Sequence, residues 1–268
     1  MKFPIALTIA GSDSGGGAGI QADIKTMSAL GVYSASVVTA LTAQNTIGVT
    51  AVHEVEPAFV AEQIDTVCSD LSVSAVKIGM LHRADVITTV AQALERHSIG
   101  HIVLDPVMVA KSGDPLLQDD AIEALKSVLV PVASIITPNI PEAARLLRRK
   151  EDYVKSNKEA ATERLLSLGC GSILLKGGHD HDCAQSTDLY FDGNNFRYLS
   201  APRTETNNTH GTGCSLSSAI CAELAKKQGL ELAVFNAKQY ISQAIACADT
   251  LNIGSGHGPI HHFHQNWT

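Results

Sequence analysis

Several common patterns are missing from this 268-residue sequence. Its six cysteines form no C-x-x-C pair and no zinc-finger spacing, so neither a redox motif nor a metal finger is predicted. The formal net charge is -7 and no basic run is longer than residues 148–150, which argues against nucleic acid as the main partner. No apolar run reaches membrane-spanning length. A small anionic substrate remains compatible with this charge, because it needs only local hydrogen-bond donors.

The chain start shows no signal-peptide pattern, since a strand-like segment follows Lys2 directly. The cytoplasm is therefore the expected compartment, and five of the six cysteines are expected to be small buried apolar residues. Eleven histidines are present, three of them within residues 261–264. Near a chain end, we expect this cluster to be a mobile surface segment rather than a zinc site.

The hydrophobic fraction of 45% and the charged fraction of 18% suit one large domain, residues 1–268, with no repeat or linker. Apolar strands alternate with amphipathic helices, which predicts an α/β fold with a mostly parallel sheet and helices on both faces. Between Thr187 and Ala201 the apolar period changes around an Asp-Gly-Asn turn, which predicts a small β-hairpin. Strands are predicted over 4–10, 37–41, 75–80, 101–104, 133–136 and 172–176. Helices are predicted over 20–30, 57–71, 84–97, 121–129, 142–147 and 158–168, with two more starting at Thr212 and Leu232.

Residues 209–218 (THGTGCSLSS) carry the strongest local signal. Gly211 and Gly213 flank Thr212 just before a helix of small residues, and Cys214 follows at once. Glycines allow close backbone approach, while a helix start offers unpaired N–H groups and the positive end of its dipole. This arrangement suits a phosphoryl group in transfer, with Cys214 as a proton acceptor or small polar contact. The alternative is a glycine-rich turn before a buried helix.

A second glycine-rich loop, residues 11–19 (GSDSGGGAG), follows the first predicted strand. It lacks the Gly-Lys-Ser/Thr ending of a Walker loop and is not a clean G-x-G-x-x-G sequence, so a dinucleotide fold is not supported. Asp23 lies one turn into the next helix. Its carboxylate is a candidate to accept a hydrogen bond from a substrate hydroxyl, or simply a favourable charge near a helix N-terminus.

Polar side chains follow several predicted strands, at the sheet edge where ligands collect in parallel sheets. Asp105 and Glu142 are candidates to hold Mg²⁺ directly or through its waters, although Glu142 also suits helix capping. Lys176 ends an apolar strand and is a candidate to reach a nucleotide phosphate, or a surface lysine whose stem packs on apolar neighbours. Asn139 ends another strand. Their common placement predicts a single active site.

Together these segments resemble the ribokinase-like superfamily, and within it the bacterial hydroxymethylpyrimidine/phosphomethylpyrimidine kinases of thiamin biosynthesis. The resemblance runs essentially end to end and implies a three-layer sandwich. It rests on residues 10–23 (AGSDSGGGAGIQAD), 42–46 (TAQNT), 77–80 (KIGM), 105–108 (DPVM), 111–113 (KSG), 137–139 (TPN), 142–143 (EA), 176–179 (KGGH) and 209–214 (THGTGC).

The resemblance implies a role for each of these positions. Gln44 is expected to recognise the ring nitrogen and amino group of the pyrimidine, because its amide both donates and accepts. The resemblance also places Gly11 and Asp23 near the hydroxymethyl group, with Met80 and Val107 in the apolar wall. It places ATP over Asn139, Lys176 and the segment from Thr209, with Mg²⁺ near Asp105 and Glu142. The anion hole is expected at the N–H groups of Gly211, Thr212, Gly213 and Cys214.

The implied reaction has two steps: phosphorylation of the pyrimidine alcohol by ATP, then of the resulting monophosphate. Lys111, in a glycine-bearing loop, is the candidate that accommodates the extra phosphate, or else a solvated lysine. Cys214 stands where most sugar kinases of the superfamily carry Asp, so a sugar substrate is disfavoured. A helix N-terminus lowers a thiol pKa, which leaves a thiolate base open.

A pyridoxal kinase is the nearest alternative function, and a non-catalytic protein that kept the fold is a more distant one. By resemblance the chain is expected to form a homodimer, with the hairpin as a lid or dimer contact.

Overall fold

The computed structural model describes residues 3–108, 117, 119–178 and 184–267. Its strands are β1 (Ile5–Asp13), β2 (Tyr33–Gln44), β3 (Val49–Glu54), β4 (Ala75–Ile78), β5 (Ile102–Leu104), β6 (Ile135–Ile136), β7 (Ile173–Leu175), β8 (Gln185–Phe191) and β9 (Phe196–Pro202). Its α-helices are α1 (Gly19–Ala29), α2 (Pro57–Asp70), α3 (Ala84–Arg96), α4 (Asp119–Ala124), α5 (Ile140–Leu147), α6 (Glu151–Ser156), α7 (Lys158–Leu166), α8 (Thr212–Ala225) and α9 (Leu230–Ala246).

The described strands form one sheet in the order β3-β2-β1-β4-β5-β6-β7-β8-β9. All pairings from β2 through β7 are parallel, and β3, β8 and β9 add antiparallel strands at the two edges. The mostly parallel α/β sheet is confirmed. The predicted hairpin is present as β8 and β9, and it continues the main sheet beyond β7 instead of standing apart from it.

Each central strand sends alternate side chains into two separate cores. Val76 and Ile78 of β4 belong to one cluster, whereas Ala75 of the same strand belongs to the other. The first cluster packs under α2, α3, α5 and α7, and the second under α1, α8 and α9. This alternation follows from the two-residue period of a strand. It produces helices on both faces of the sheet, as predicted.

The predicted elements differ from the observed ones where burial is low or the helix geometry changes. Strand β3 and helix α6 were not predicted: nearly all of β3 is exposed, and α6 buries only Val154, so neither has an apolar period. The helix predicted over 121–129 is α4 followed by a π-helical turn, Leu125–Leu129, and a 3-10 turn, Val130–Val132, at Pro131. No helix among the described residues is long and apolar enough to cross a membrane.

The expectation of a mobile surface segment at 261–264 is wrong. His261 and His262 are 6% and 5% exposed, because the segment packs against α8 and α9. His262 Nε2 lies 3.1 Å from the hydroxyl of Ser215 on α8, and the Tyr240 hydroxyl donates to the His262 carbonyl at 2.7 Å. Burial lowers the pKa of His262 to about 3, so this imidazole is neutral in the folded protein.

A neutral buried histidine makes stability depend on pH. In the unfolded chain His262 takes up a proton near its ordinary pKa of about 6.5. In the folded protein it takes up this proton only when the pH falls to about 3. The free energy of unfolding should therefore fall as the pH drops below 6.5. Urea unfolding measures the free energy of unfolding at pH 7.5 and at pH 5. The loss of stability between these two pH values should be smaller for His262→Gln than for the unchanged protein, and an equal loss would contradict this assignment.

Candidate active site

The two glycine-rich loops and the carboxyl ends of the parallel strands meet at one edge of the sheet. Gly211 is the N-cap of α8 at φ +79°, a left-handed backbone conformation that favours glycine. A Cβ atom at Gly211 would overlap the carbonyl oxygen of Gly17, so the loop before α8 rests directly on the loop after β1. The Thr212 hydroxyl donates to the Thr209 carbonyl at 2.7 Å, which closes the turn.

Lys176 lies beside the first turn of α8. A Cβ built on Gly213 would lie 3.3 Å from Lys176 Nζ and 3.6 Å from Asp105 Oδ2, so both side chains lie close to the backbone at Gly213. The positive end of the α8 dipole and the Lys176 ammonium group therefore meet at the same space. Such a site is built to hold an anion.

Two carboxylates keep Lys176 charged. Its Nζ atom is 2.8 Å from Asp105 Oδ1 and 3.7 Å from Glu142 Oε2, and the Thr137 hydroxyl donates to Asp105 Oδ1 at 3.2 Å. Burial alone would lower the pKa of Lys176, but Asp105 and Glu142 together raise it above its ordinary value. The lysine is a cation that no change of physiological pH removes.

Glu142 and Asn139 form a capping box at the start of α5. The Asn139 N–H donates to Glu142 Oε2 at 2.7 Å, and the Glu142 N–H donates to Asn139 Oδ1 at 2.9 Å. Glu142 therefore caps the helix, as the alternative interpretation predicted, and the same side chain also faces Lys176. Burial raises the pKa of Glu142 to about 7, with Asp105 acting in the same direction and Lys176 against it.

Cys214 carries a neutral thiol in this structure. Burial raises its pKa to about 11; Lys77 lowers it, while Asp23 and Asp105 raise it further. Desolvation, which disfavours the charged thiolate, is the largest of these effects. The sequence left open a thiolate that acts as a base, and the raised pKa does not support it. The structure favours the alternative, in which the Cys214 thiol is a small polar contact.

Asp23 belongs to α1 and takes part in a buried hydrogen-bond network. Its side chain has no exposed surface, and its two oxygens accept hydrogen bonds from Lys77, from the Thr8 hydroxyl at 2.6 Å and from the Ser218 hydroxyl at 2.7 Å. It lies between the sheet and helix α8, below the loops. In this structure Asp23 is therefore a buried ion-pair partner of Lys77 and not a charge in the first turn of α1, and its contact with a substrate hydroxyl stays a prediction.

The expected substrate wall is partly assembled. Gly11 lies against Met80, whose terminal methyl group would be displaced by a Cβ at Gly11. Val107 is half-buried just beyond β5. Gln44 is half-buried at the end of β2, with its amide 3.3 Å from His210 Nε2 and within hydrogen-bond distance of the Thr42 hydroxyl. Lys111 lies outside the described residues.

Sequence reasoning assigned no role to Asp13, which organises the first glycine loop. Its carboxylate accepts from the N–H groups of Gly15, Gly17 and Ala18 at 2.8–3.0 Å and lies 2.9 Å from His210 Nε2. Burial would raise the pKa of Asp13, but these hydrogen bonds, led by that of His210, lower it. The signal was available, because Asp before glycines is typical of a side chain that bonds its own turn.

A model of the phosphomethylpyrimidine kinase family matches residues 13–261, nearly the whole chain. The chain belongs to this family. A hydroxymethylpyrimidine/phosphomethylpyrimidine kinase from Salmonella typhimurium is 52% identical over 262 residues, which are 98% of each chain. Because the family model and the Salmonella typhimurium relative both describe kinases, this chain is a kinase.

Solved structures share the fold. The phosphomethylpyrimidine kinase from Clostridium difficile is 42% identical with a TM-score of 0.79, covering 91% of this chain and 100% of its own. The pyridoxal kinase from Staphylococcus aureus in complex with ADP is 31% identical with a TM-score of 0.91, covering 99% and 96%. The ribokinase-like three-layer arrangement expected from the sequence is confirmed.

Gly211 provides a sharp test of the anion loop, residues 209–214, which leads into α8. Gly211→Ala should lower kcat by about 100-fold, because displacing the loop from Gly17 misaligns the N–H groups of α8. The matched control is Gly31→Ala, which has a similar φ of +74° but no atom within 4 Å of a Cβ. It should cost about 1–2 kcal/mol of stability and leave kcat unchanged. Equal kcat values for the two variants would contradict the assignment.

Proposed function

We propose that this kinase transfers the γ-phosphoryl group of ATP to the alcohol of 4-amino-5-hydroxymethyl-2-methylpyrimidine, and then a second phosphoryl group to the monophosphate. Family membership and the 52% identical Salmonella kinase support the substrate class. The observation that carries the chemistry is the convergence of the α8 N-terminus, Lys176 and Asp105 on one space. Phosphoryl transfer depends mainly on alignment and charge stabilisation, which this space supplies.

Each side chain has a distinct task in this mechanism. The N–H groups of residues 211–214 stabilise the negative charge of the transferring group, and Lys176 neutralises the nucleotide phosphates. Asp105 holds Lys176 in place through the 2.8 Å ion pair. The neutral Cys214 thiol orients the acceptor oxygen. A loose transition state demands little from a base, so a thiol with a pKa of about 11 is compatible with turnover.

Nucleotide binding is proposed over Asn139, Lys176, Thr209 and Gly213. Its support is that a relative of the same fold is known in complex with ADP. In the capping box the Asn139 side-chain oxygen is occupied by the Glu142 N–H, which leaves its amide nitrogen as the group to meet the nucleotide. Lys176 and Gly213 lie at the phosphate end of such a path.

Mg²⁺ is proposed near Asp105 and Glu142, and the residues fit this ion. Both donors are carboxylates, the hard oxygen ligands that Mg²⁺ takes, and both face Lys176. An Mg²⁺ ion held by two carboxylates completes its shell with water and phosphate oxygens. When bound, Mg²⁺ neutralises charge on the phosphates.

Pyridoxal phosphorylation is the second candidate function. It is favoured by the TM-score of 0.91 with the Staphylococcus aureus pyridoxal kinase, against which the identity is only 31%. Gln44 favours the aminopyrimidine, because its amide matches a ring nitrogen and an adjacent amino group together. The one-domain organisation over 1–268, the homodimer, the cytoplasmic location and the phosphate-binding role of Lys111 stay predictions.

The deciding experiment measures ADP release with Mg-ATP and the pyrimidine alcohol, with pyridoxal and ribose in parallel and products resolved by mass. We expect successive appearance of the pyrimidine monophosphate and diphosphate, and no turnover of ribose. A clear preference for pyridoxal, or a monophosphate as the end product, would replace the proposed function with the second candidate.

Cys214→Ala should lower kcat by about 100-fold, because the acceptor oxygen is misplaced, while ATP binding, measured by calorimetry, survives. The acceptor oxygen loses its polar contact, whereas the N–H groups and Lys176 that hold the nucleotide remain. Cys221→Ala is the matched control, since Cys221 is a fully buried cysteine on the same helix. Near-normal turnover of Cys214→Ala would remove Cys214 from the mechanism.

A further inference from the structure

Lys77 is a fully buried cation that the mechanism above does not use. It lies in β4, where the strand alternation turns it away from Val76 and Ile78 and toward α1 and α8. Its ammonium group lies 2.8 and 2.9 Å from the two oxygens of Asp23, and neither side chain has any exposed surface. A lone charge at such depth is strongly unfavourable, so each member of the pair requires the other.

Asp23 connects this ammonium group to the helix that begins at the anion loop. One Asp23 oxygen accepts from Thr8 of β1, and the other accepts from Ser218 of α8 at 2.7 Å. Ser218 lies one helical turn after Cys214. The two hydroxyl donors satisfy the carboxylate and hold it in one position, and with it the position of the Lys77 ammonium.

The ammonium end of the pair faces the active site. A Cβ built on Gly79 would lie 2.8 Å from Lys77 Nζ, so the side chain runs forward along β4 toward the sheet edge where the loops lie. Lys77 also lowers the pKa of the Cys214 thiol more strongly than Asp23 raises it. The strand direction places the ammonium on the side of the pair that faces the loops, and its effect on the thiol agrees with that placement.

We propose that Lys77 is a positioning residue that provides a fixed positive charge beneath Cys214 and the anion loop, with Asp23 holding it there. The proposal rests on the proposed phosphoryl transfer at that loop. Lys176 meets the phosphates from the open side, where its side chain is 13% exposed. Lys77 is sealed from water, so its field, opposed by that of Asp23 but not screened by solvent, acts on charge that develops in transfer.

The thiol of Cys214 is the probe, because its ionisation reports the local field without substrate. The charged groups that act on it are Lys77 from β4, Asp23 from α1, Asp105 after β5 and Lys176 after β7. Thiolate absorbance is titrated in Lys77→Met and in Asp23→Asn, each against the same variant with Cys214→Ser. We expect the Cys214 pKa to rise further in Lys77→Met and to fall in Asp23→Asn.

Opposite shifts are the result that a merely structural role does not give. If the pair only supported packing, both variants would admit water and both would lower the pKa of the thiol toward its solvent value. Shifts in the same direction would therefore overturn the proposal.

The kinetic arm uses the double variant Lys77→Met/Asp23→Asn, which removes both charges and leaves no uncompensated one. We expect it to fold and to bind ATP with a KM within about threefold of the original value, while kcat falls about tenfold or more. Unchanged kcat in the folded double variant would overturn the proposal even where a single variant fails to fold.

The chain offers a matched control in Lys238 and Asp188, a buried ion pair of the same residue types at the same 2.8 Å distance. Asp188 belongs to β8 and also accepts from the Gly177 N–H, a bond that Asn retains. Lys238→Met/Asp188→Asn should leave the Cys214 pKa unchanged. Failure of the original protein to phosphorylate the pyrimidine would refute the proposed function, and the thiol titration would still decide the role of Lys77.

Discussion

The buried carboxylate of Asp23 is the interaction on which the rest of the site depends. It joins four elements through hydrogen bonds: α1 carries Asp23 itself, and β1, β4 and α8 contribute Thr8, Lys77 and Ser218. Three of these elements connect directly to the active site: β1 leads into the first glycine loop, β4 leads to Met80, and α8 begins at the anion loop. Because a buried polar network is favourable only when every member is satisfied, it permits one relative arrangement of the two loops.

The active site extends this principle of paired charges toward solvent. Lys176 is held between Asp105 and Glu142, and Glu142 is itself held by the capping box of α5. Asp13 is held in turn by the N–H groups of its own loop and by His210. A nucleotide that enters therefore meets groups whose positions are already determined, which is how preorganised charge lowers a reaction barrier. The neutral thiol of Cys214 fits this picture, since it adds a contact and no charge.

Sequence reasoning located most of the elements and both loops, because these features leave local signals. Apolar runs marked the buried strands, and the glycines at 211 and 213 marked a close backbone approach. It missed β3, whose exposed residues carry no period, and it placed the terminal histidines in solvent although His261 and His262 are buried. It did not predict the ion pair of Asp23, because no local pattern shows that Lys77, more than fifty residues away, binds the carboxylate.

The sequence by itself determined the α/β architecture, the family and the chemical types gathered at the strand ends. These follow from local periodicity and from short segments whose spacing along the chain is enough to recognise them. Only the tertiary structure decided the charge state of each group, because burial and partners from distant segments set the pKa. Glu142 both caps a helix and pairs with Lys176, and Cys214 is a neutral thiol. Both states arise because folding removes water around these side chains and brings them next to groups that are distant along the sequence.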